Sequence, residues 1–198
     1  NKENRIVIPY SKISPNLVHA LVATEDERFY KHSGIDFRSL GRVAFKTILG
    51  GDSSQGGGST ITQQLIKNSV FPNFSRETQW QKIERKVQEL YLAVQIEKIV
   101  DKSEILENYL NTINLGQNTL GVQAAAKRYF GKDVSELTLS ECAAVAAITK
   151  SPTGYNPITN PEANQKRREK VLKDMLAQEK ISQEEFDTAL TDTEDIYK

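Results

Sequence analysis

Apolar residues recur along this chain at three- and four-residue steps, and nowhere do they alternate with polar ones over a run long enough for a half-buried strand, so the pattern predicts helices throughout. Ser14-Pro15 reads as a helix start, with Leu17, Leu21 and Thr24 on one face and Glu25 at or just beyond the last turn. A second helix is predicted from Asp36 to Leu49. On it Arg38, Arg42 and Lys46 form one stripe, Leu40, Val43, Ala44, Thr47 and Ile48 lie opposite, and Phe37, Phe45 and Leu49 widen the apolar face. The pattern fits an ordinary surface helix and a basic amphipathic helix at a membrane interface equally well. Residues 50–58 are too rich in Gly and Ser for a regular element and read as a mobile loop. Ser59 is placed as the cap of a helix reaching about Asn68. Pro72 breaks it, and Ser75 starts the longest helix, Arg76 to about Val100, with Trp80, Ile83, Val87, Leu90, Tyr91 and Val94 as its buried stripe. Arg85 and Glu89 stand four apart beside that stripe, a spacing that by itself implies only a helical ion pair.

Reciprocal caps mark the later helices. Asp101 with Glu104 opens one to about Thr112, Thr138 with Glu141 opens the alanine-rich run to Lys150, and Ser182 with Glu185 opens a short final one. A connection from Leu115 to Gly121 leads to a short helix ending near Tyr129-Phe130-Gly131, and Asn160-Pro161 starts a long helix to about Glu179. With no β-run, repeat or linker, residues 1–198 are expected to form one all-α domain.

The composition narrows the functions. Lys and Arg number 26, Asp and Glu number 26, so the balance gives no support to nucleic acid as a partner and any basic site must be local. Cys142, the one cysteine, sits in an apolar run and reads as a small buried thiol. No stretch approaches the roughly 18 apolar residues that span a bilayer, so a soluble or peripheral chain is expected. The start at Asn1, without a methionine, reads as that of an excised domain. His19 and His32 lack the spacing of a metal cage. A Ser-His-Asp site assembled from Ser59 and His32 would lack a nucleophile elbow.

Three stretches carry the candidate chemistry. The first, Glu25-Asp26-Glu27-Arg28-Phe29-Tyr30-Lys31-His32-Ser33-Gly34, follows an apolar run, and taken alone it reads as a helix end with a solvated charge cluster. The second is Gly57-Gly58-Ser59-Thr60-Ile61-Thr62-Gln63-Gln64 with Lys67-Asn68, and the third is Arg85-Lys86-Val87-Gln88-Glu89. Together with Ile105 to Asn111 running on to Gly116, and Ala124 to Lys132, they resemble in order the five motifs of the family 51 glycosyltransferases, the peptidoglycan transglycosylases of penicillin-binding proteins and their monofunctional relatives. The match spans roughly Ile13 to Pro157.

The resemblance implies a lysozyme-like large lobe with a smaller, mobile, membrane-facing lobe at about residues 35–60. It implies polymerisation of lipid II into a growing glycan strand at the outer face of the bacterial cytoplasmic membrane, held by an anchor helix absent from this chain, and inhibition by compounds of the moenomycin type. Glu25 is then the general base and Glu89 the second catalytic carboxylate. Asp26, Phe29 and His32 shape the first-motif loop, while Ser59, Thr60, Gln64, Lys67 and Arg85 join them as substrate-binding residues. Two carboxylates on separate elements fit glycosyl chemistry, and the cations Lys67 and Arg85 fit a diphosphate leaving group, on whose oxygen charge builds as the bond breaks. Whether Glu89 orients the donor or helps hold a divalent cation, Mg or Mn, on the diphosphate is left open. Between Lys67 and Arg85 the chain is longer than its relatives, and a further diphosphate-binding cation is placed at Arg76, with Lys82 as the alternative. The competing readings are a lysozyme-like hydrolase and an inactive module that binds lipid-linked precursors; intact Glu25, Glu89, Lys67 and Arg85 oppose the second.

Overall fold

The computed structural model describes residues 4–49, 57–71, 77–192 and 196. Among them are nine α-helices: α1 (Pro15–Glu25), α2 (Phe37–Ile48), α3 (Ile61–Val70), α4 (Gln79–Ile96), α5 (Lys102–Thr112), α6 (Val122–Phe130), α7 (Leu139–Ile148), α8 (Pro161–Ala177) and α9 (Gln183–Thr191). The all-α expectation holds. The only strands among these residues are two-residue pieces, β1 (Asn4–Arg5) and β2 (Thr119–Leu120), paired in parallel with Asn4 opposite Thr119. They are too short for any sequence period to announce. The chain divides into two compact units, residues 1–24 with 110–198, and residues 25–109.

The first unit is centred on α7. Its residues from Ser140 to Ile148 are all buried, because a helix that is apolar all round can only sit at a centre, and α6, α8 and α9 pack on it. Thr138 caps it reciprocally with Glu141, and Ser182 does the same for α9 with Glu185, as the sequence predicts. Cys142 is buried, and desolvation pushes its thiol up to about 12, so it is chemically quiet. Asn111 pins the N-terminal segment: its side chain accepts from the Ile8 N–H at 3.0 Å and donates to the Ile8 carbonyl at 2.8 Å.

The second unit carries α2, α3, α4 and most of α5, and here several sequence expectations are corrected. Thr60, not Ser59, caps α3, through a reciprocal box with Gln63. Helix α4 starts at Gln79 behind the Thr78–Gln81 box rather than at Ser75, and it ends at Ile96 rather than Val100. Both starts follow the local rule that a Thr followed three residues later by Gln satisfies two otherwise unpaired N–H groups. The predicted buried stripe of α4 is also overturned. Trp80, Ile83, Val87 and Tyr91 are each more than half exposed, and the helix buries Glu89 and Ala93 instead. Periodicity identifies an apolar face but not which face is covered.

Candidate active site

Glu25 is the last residue of α1, where the helix's negative end gives its carboxylate no help. Its orientation comes from a side-chain relay. Tyr109 donates its hydroxyl to Gln64 Oε1 at 3.2 Å, which turns the Gln64 amide so that Nε2 donates to Glu25 Oε2, also at 3.2 Å. Tyr109 is fully buried. Desolvation, with the Glu25 and Asp26 charges behind it, holds its pKa well above the ordinary phenol range, so it remains a donor at neutral pH.

The loop after Glu25 is held from several sides. Both Asp26 oxygens lie 2.9 to 3.0 Å from His32 Nε2, and the Ile61 N–H donates to Asp26 Oδ2 at 2.9 Å, which ties the first motif to the start of α3. Because the Gly34 N–H donates to His32 Nδ1 at 3.1 Å, the ring hydrogen belongs on Nε2, facing Asp26. Lys102 donates to the His32 carbonyl and to Glu97, and its ammonium stands 4.2 Å from the centroid of the buried Phe29 ring. Thr60 uses its hydroxyl twice, accepting from the Gln63 N–H and donating to the Gly34 carbonyl at 2.7 Å. Gly34 has φ +96, and a Cβ there would lie 2.4 Å from the Ala93 carbonyl oxygen of α4, so both the backbone conformation and the close approach require glycine.

A second cluster lies on α3 and α4. Arg85 Nη1 and Lys86 Nζ grip the two oxygens of the buried Glu89 carboxylate, and Lys86 also donates to Ser59 Oγ at 2.7 Å. Arg85 Nε reaches both oxygens of Glu77, at 2.9 and 2.8 Å. Burial works to lower the Arg85 pKa, but the hydrogen bonds it donates to Glu77 and Glu89, with the charges of those carboxylates, raise it on balance. Lys67, in the last turn of α3, has its pKa lowered, chiefly by desolvation. The field of Glu89 opposes this, those of Arg85 and Lys86 add to it, and that of Glu25 opposes it again. One ammonium thus feels both candidate carboxylates.

The sequence-predicted residues therefore divide. Asp26, His32 and Thr60 are buried and spend their polar atoms on holding the loop, and the buried Phe29 ring packs beneath the Lys102 ammonium. Glu25, Gln64, Lys67, Arg85 and Glu89 belong to the two connected clusters, and Ser59 enters through Lys86. Arg76 lies outside the described residues, as does the loop 50–56; Lys82 is exposed on α4. Lys86 and Tyr109 were missed as site residues although both stand inside quoted motifs. Lys102 and Glu77 carry no sequence signal. Among the described residues no three His, Cys, Asp or Glu side chains are grouped to hold a metal. With both Glu89 oxygens already gripped by cations, the donor set does not fit a resident divalent ion, so no step is derived through one.

A family model described as transglycosylase matches residues 1–176. Penicillin-binding protein 1A of Clostridium botulinum is 44% identical over 198 residues, covering 96% of this chain and 23% of that protein. Penicillin-binding protein 1A of Escherichia coli is 42% identical over 191 residues, covering 96% of this chain and 22% of that one. The chain thus spans about a quarter of the length of the curated relatives it matches. Among solved structures, penicillin-binding protein 1A from Haemophilus influenzae aligns over 95% of this chain and 17% of its own, with a TM-score of 0.56 and 28% identity.

Proposed function

The chain belongs to the transglycosylase family, and on that premise we propose that it is a peptidoglycan glycosyltransferase that polymerises lipid II. The observation that carries this reading is the cationic cluster in which Arg85 and Lys86 grip the buried Glu89 carboxylate, with the Lys67 ammonium in their field and in those of Glu89 and Glu25. A hydrolase of neutral glycosidic bonds has little use for three such cations, whereas a diphosphate leaving group needs them.

In this reading a Glu25 carboxylate oxygen takes the proton of the acceptor's GlcNAc 4-hydroxyl. The freed oxygen attacks C1 of the donor's MurNAc from the face opposite the diphosphate. The C1–O bond breaks with inversion, its electron pair goes to the diphosphate oxygen, and Lys67, Arg85 and Lys86 hold the resulting charge. Gln64 and Tyr109 aim Glu25, while Glu89 fixes the two cations of α4. Undecaprenyl diphosphate departs, and the strand is one disaccharide longer. Inhibitors of the moenomycin type are expected at the same cations.

Helix α2 is the reading's membrane contact. Phe37, Phe45 and Leu49 are exposed, Arg38 and Arg42 are available to anionic headgroups, and no described helix is long and apolar enough to cross a membrane. The domain would work at the outer face of the cytoplasmic membrane, where its lipid-linked substrate is presented.

Two incubations test the activity, one with lipid II and one with purified cell-wall glycan. Polymer from the first and no fragments from the second are expected; fragments without polymer would instead establish the hydrolase. Glu25→Gln should lower polymerisation by roughly 10²- to 10⁴-fold, the usual worth of positioned proton transfer. Donor-analogue binding should survive in that variant, whereas Glu89→Gln, which frees Arg85 and Lys86, should lose binding and turnover together. A Glu25→Gln enzyme working at the wild-type rate would sink the mechanism.

A further inference from the structure

Among the described residues, Glu77 is the one charged member of the Arg85 cluster that no motif supplies. It lies outside α4, just before the cap Thr78, and folds back eight residues to place both carboxylate oxygens on Arg85 Nε. Arg85 already has a carboxylate partner in Glu89, four residues along the same helix. The Glu77 and Arg85 side chains are largely buried, at 16% and 14% exposed, so the pair is better shielded than a surface ion pair. Among the described residues, Lys67, Arg85 and Lys86 stand against Glu25, Glu77 and Glu89, six side chains whose charges cancel and which without Glu77 would carry one net positive charge.

We propose that Glu77 is an exchange anion. It occupies the Arg85 guanidinium while the site is empty, yields it to the diphosphate of the incoming donor, and takes it back as the polyprenyl diphosphate product leaves. The inference rests on the glycosyltransferase reading above and adds a residue that sets diphosphate affinity. A guanidinium has five N–H groups in one plane, so a carboxylate and a phosphate oxygen that address the same edge compete for it. Glu89 cannot play this part, since Lys86 grips its second oxygen and it is buried at the centre of the cluster. Because Glu77 is tethered beside Arg85, it returns at a local concentration on the order of millimolar, which disfavours product retention without any change of shape. The binding energy thereby forgone falls on product as well as on substrate. That suits an enzyme that must discard a diphosphate in every cycle.

The test compares the wild type with Glu77→Gln and Glu77→Asp by calorimetric binding of inorganic pyrophosphate and of geranyl diphosphate, alongside lipid II polymerisation. Glu77→Gln should bind both probes about threefold to tenfold tighter, with the gain shrinking at high salt. It should lower KM for lipid II, increase product inhibition, and leave kcat no higher; Glu77→Asp should return toward wild type. In an Arg85→Ala background the Glu77→Gln gain should vanish. Equal or weaker probe binding by Glu77→Gln, with a raised KM, would overturn the exchange and make Glu77 a strut that holds Arg85 in place. If neither wild type nor variant binds the probes while lipid II is still polymerised, the exchange fails alone. If polymerisation is absent as well, the glycosyltransferase reading fails with it.

Discussion

At the scale of single residues, Lys67 shows how function and stability oppose each other in this site. Its pKa lies below the ordinary lysine value of 10.5, chiefly because burial penalises the charged form. With the folded pKa below the unfolded one, protonated Lys67 penalises the fold at neutral pH, and the penalty is relieved only as pH rises through the folded pKa toward the unfolded one. Lys67→Met should therefore leave the unfolding temperature unchanged or raised, while polymerisation falls by on the order of 10²-fold or more. A scanning-calorimetry trace shifted clearly downward would contradict the sign of this argument. The same lowered pKa predicts that kcat/KM falls on the alkaline side at lower pH than an unperturbed lysine would allow. Lys67→Arg should remove that limb, because a guanidinium does not titrate in the accessible range.

At the scale of elements, α2 and α4 each present apolar side chains that the second unit does not bury. Phe45 of α2 is 64% exposed and Leu49, just past its end, is 69% exposed, so charged replacements there remove little packing. Phe45→Asp combined with Leu49→Asp should weaken binding to anionic liposomes by roughly tenfold or more and leave the melting temperature nearly unchanged. A large loss of stability with liposome binding intact would make that face part of the core. The amphipathic pattern of α2 was legible in the sequence; that Phe37, Phe45 and Leu49 stay exposed was not. In α4 the same kind of pattern misled, because Gly34 and α3 pack against the Glu89–Ala93 side and leave Trp80, Ile83, Val87 and Tyr91 outside. The starts of α3 and α4 were legible in Thr60–Gln63 and Thr78–Gln81, and the nearby Ser59 and Ser75 drew the reading away from them.

At the scale of the whole molecule, stability should reside in the helices packed on α7 rather than in the longest amphipathic helix. Leu172 of α8 is fully buried, and Leu172→Ala should cost about 2 to 5 kcal/mol. Trp80 is 79% exposed, so Trp80→Ser should stay within about 0.5 kcal/mol although it removes the larger side chain. Urea unfolding of the two variants gives the comparison, and a Trp80→Ser loss as large as that of Leu172→Ala would mean that the α4 stripe is covered in solution.

Taken by itself, the sequence determined what depends on near neighbours along the chain. The helical period and the reciprocal caps of α7 and α9 follow from residues a few positions apart, and the ordered motifs put forward Glu25, Lys67, Arg85 and Glu89 as candidates. The five ordered motifs carried the family as well. Tertiary structure alone decided what depends on residues far apart in sequence. Tyr109 reaches Gln64 across 45 positions, the Ile61 N–H reaches Asp26 across 35, and Lys102 reaches the His32 carbonyl across 70. It also decided which side of α4 is covered, and that Glu77 folds back on Arg85. The physical reason is that periodicity and capping report the free energy of a chain folding on its immediate neighbours, whereas desolvation, burial and hydrogen-bond partnership at the site are fixed by which distant surfaces meet.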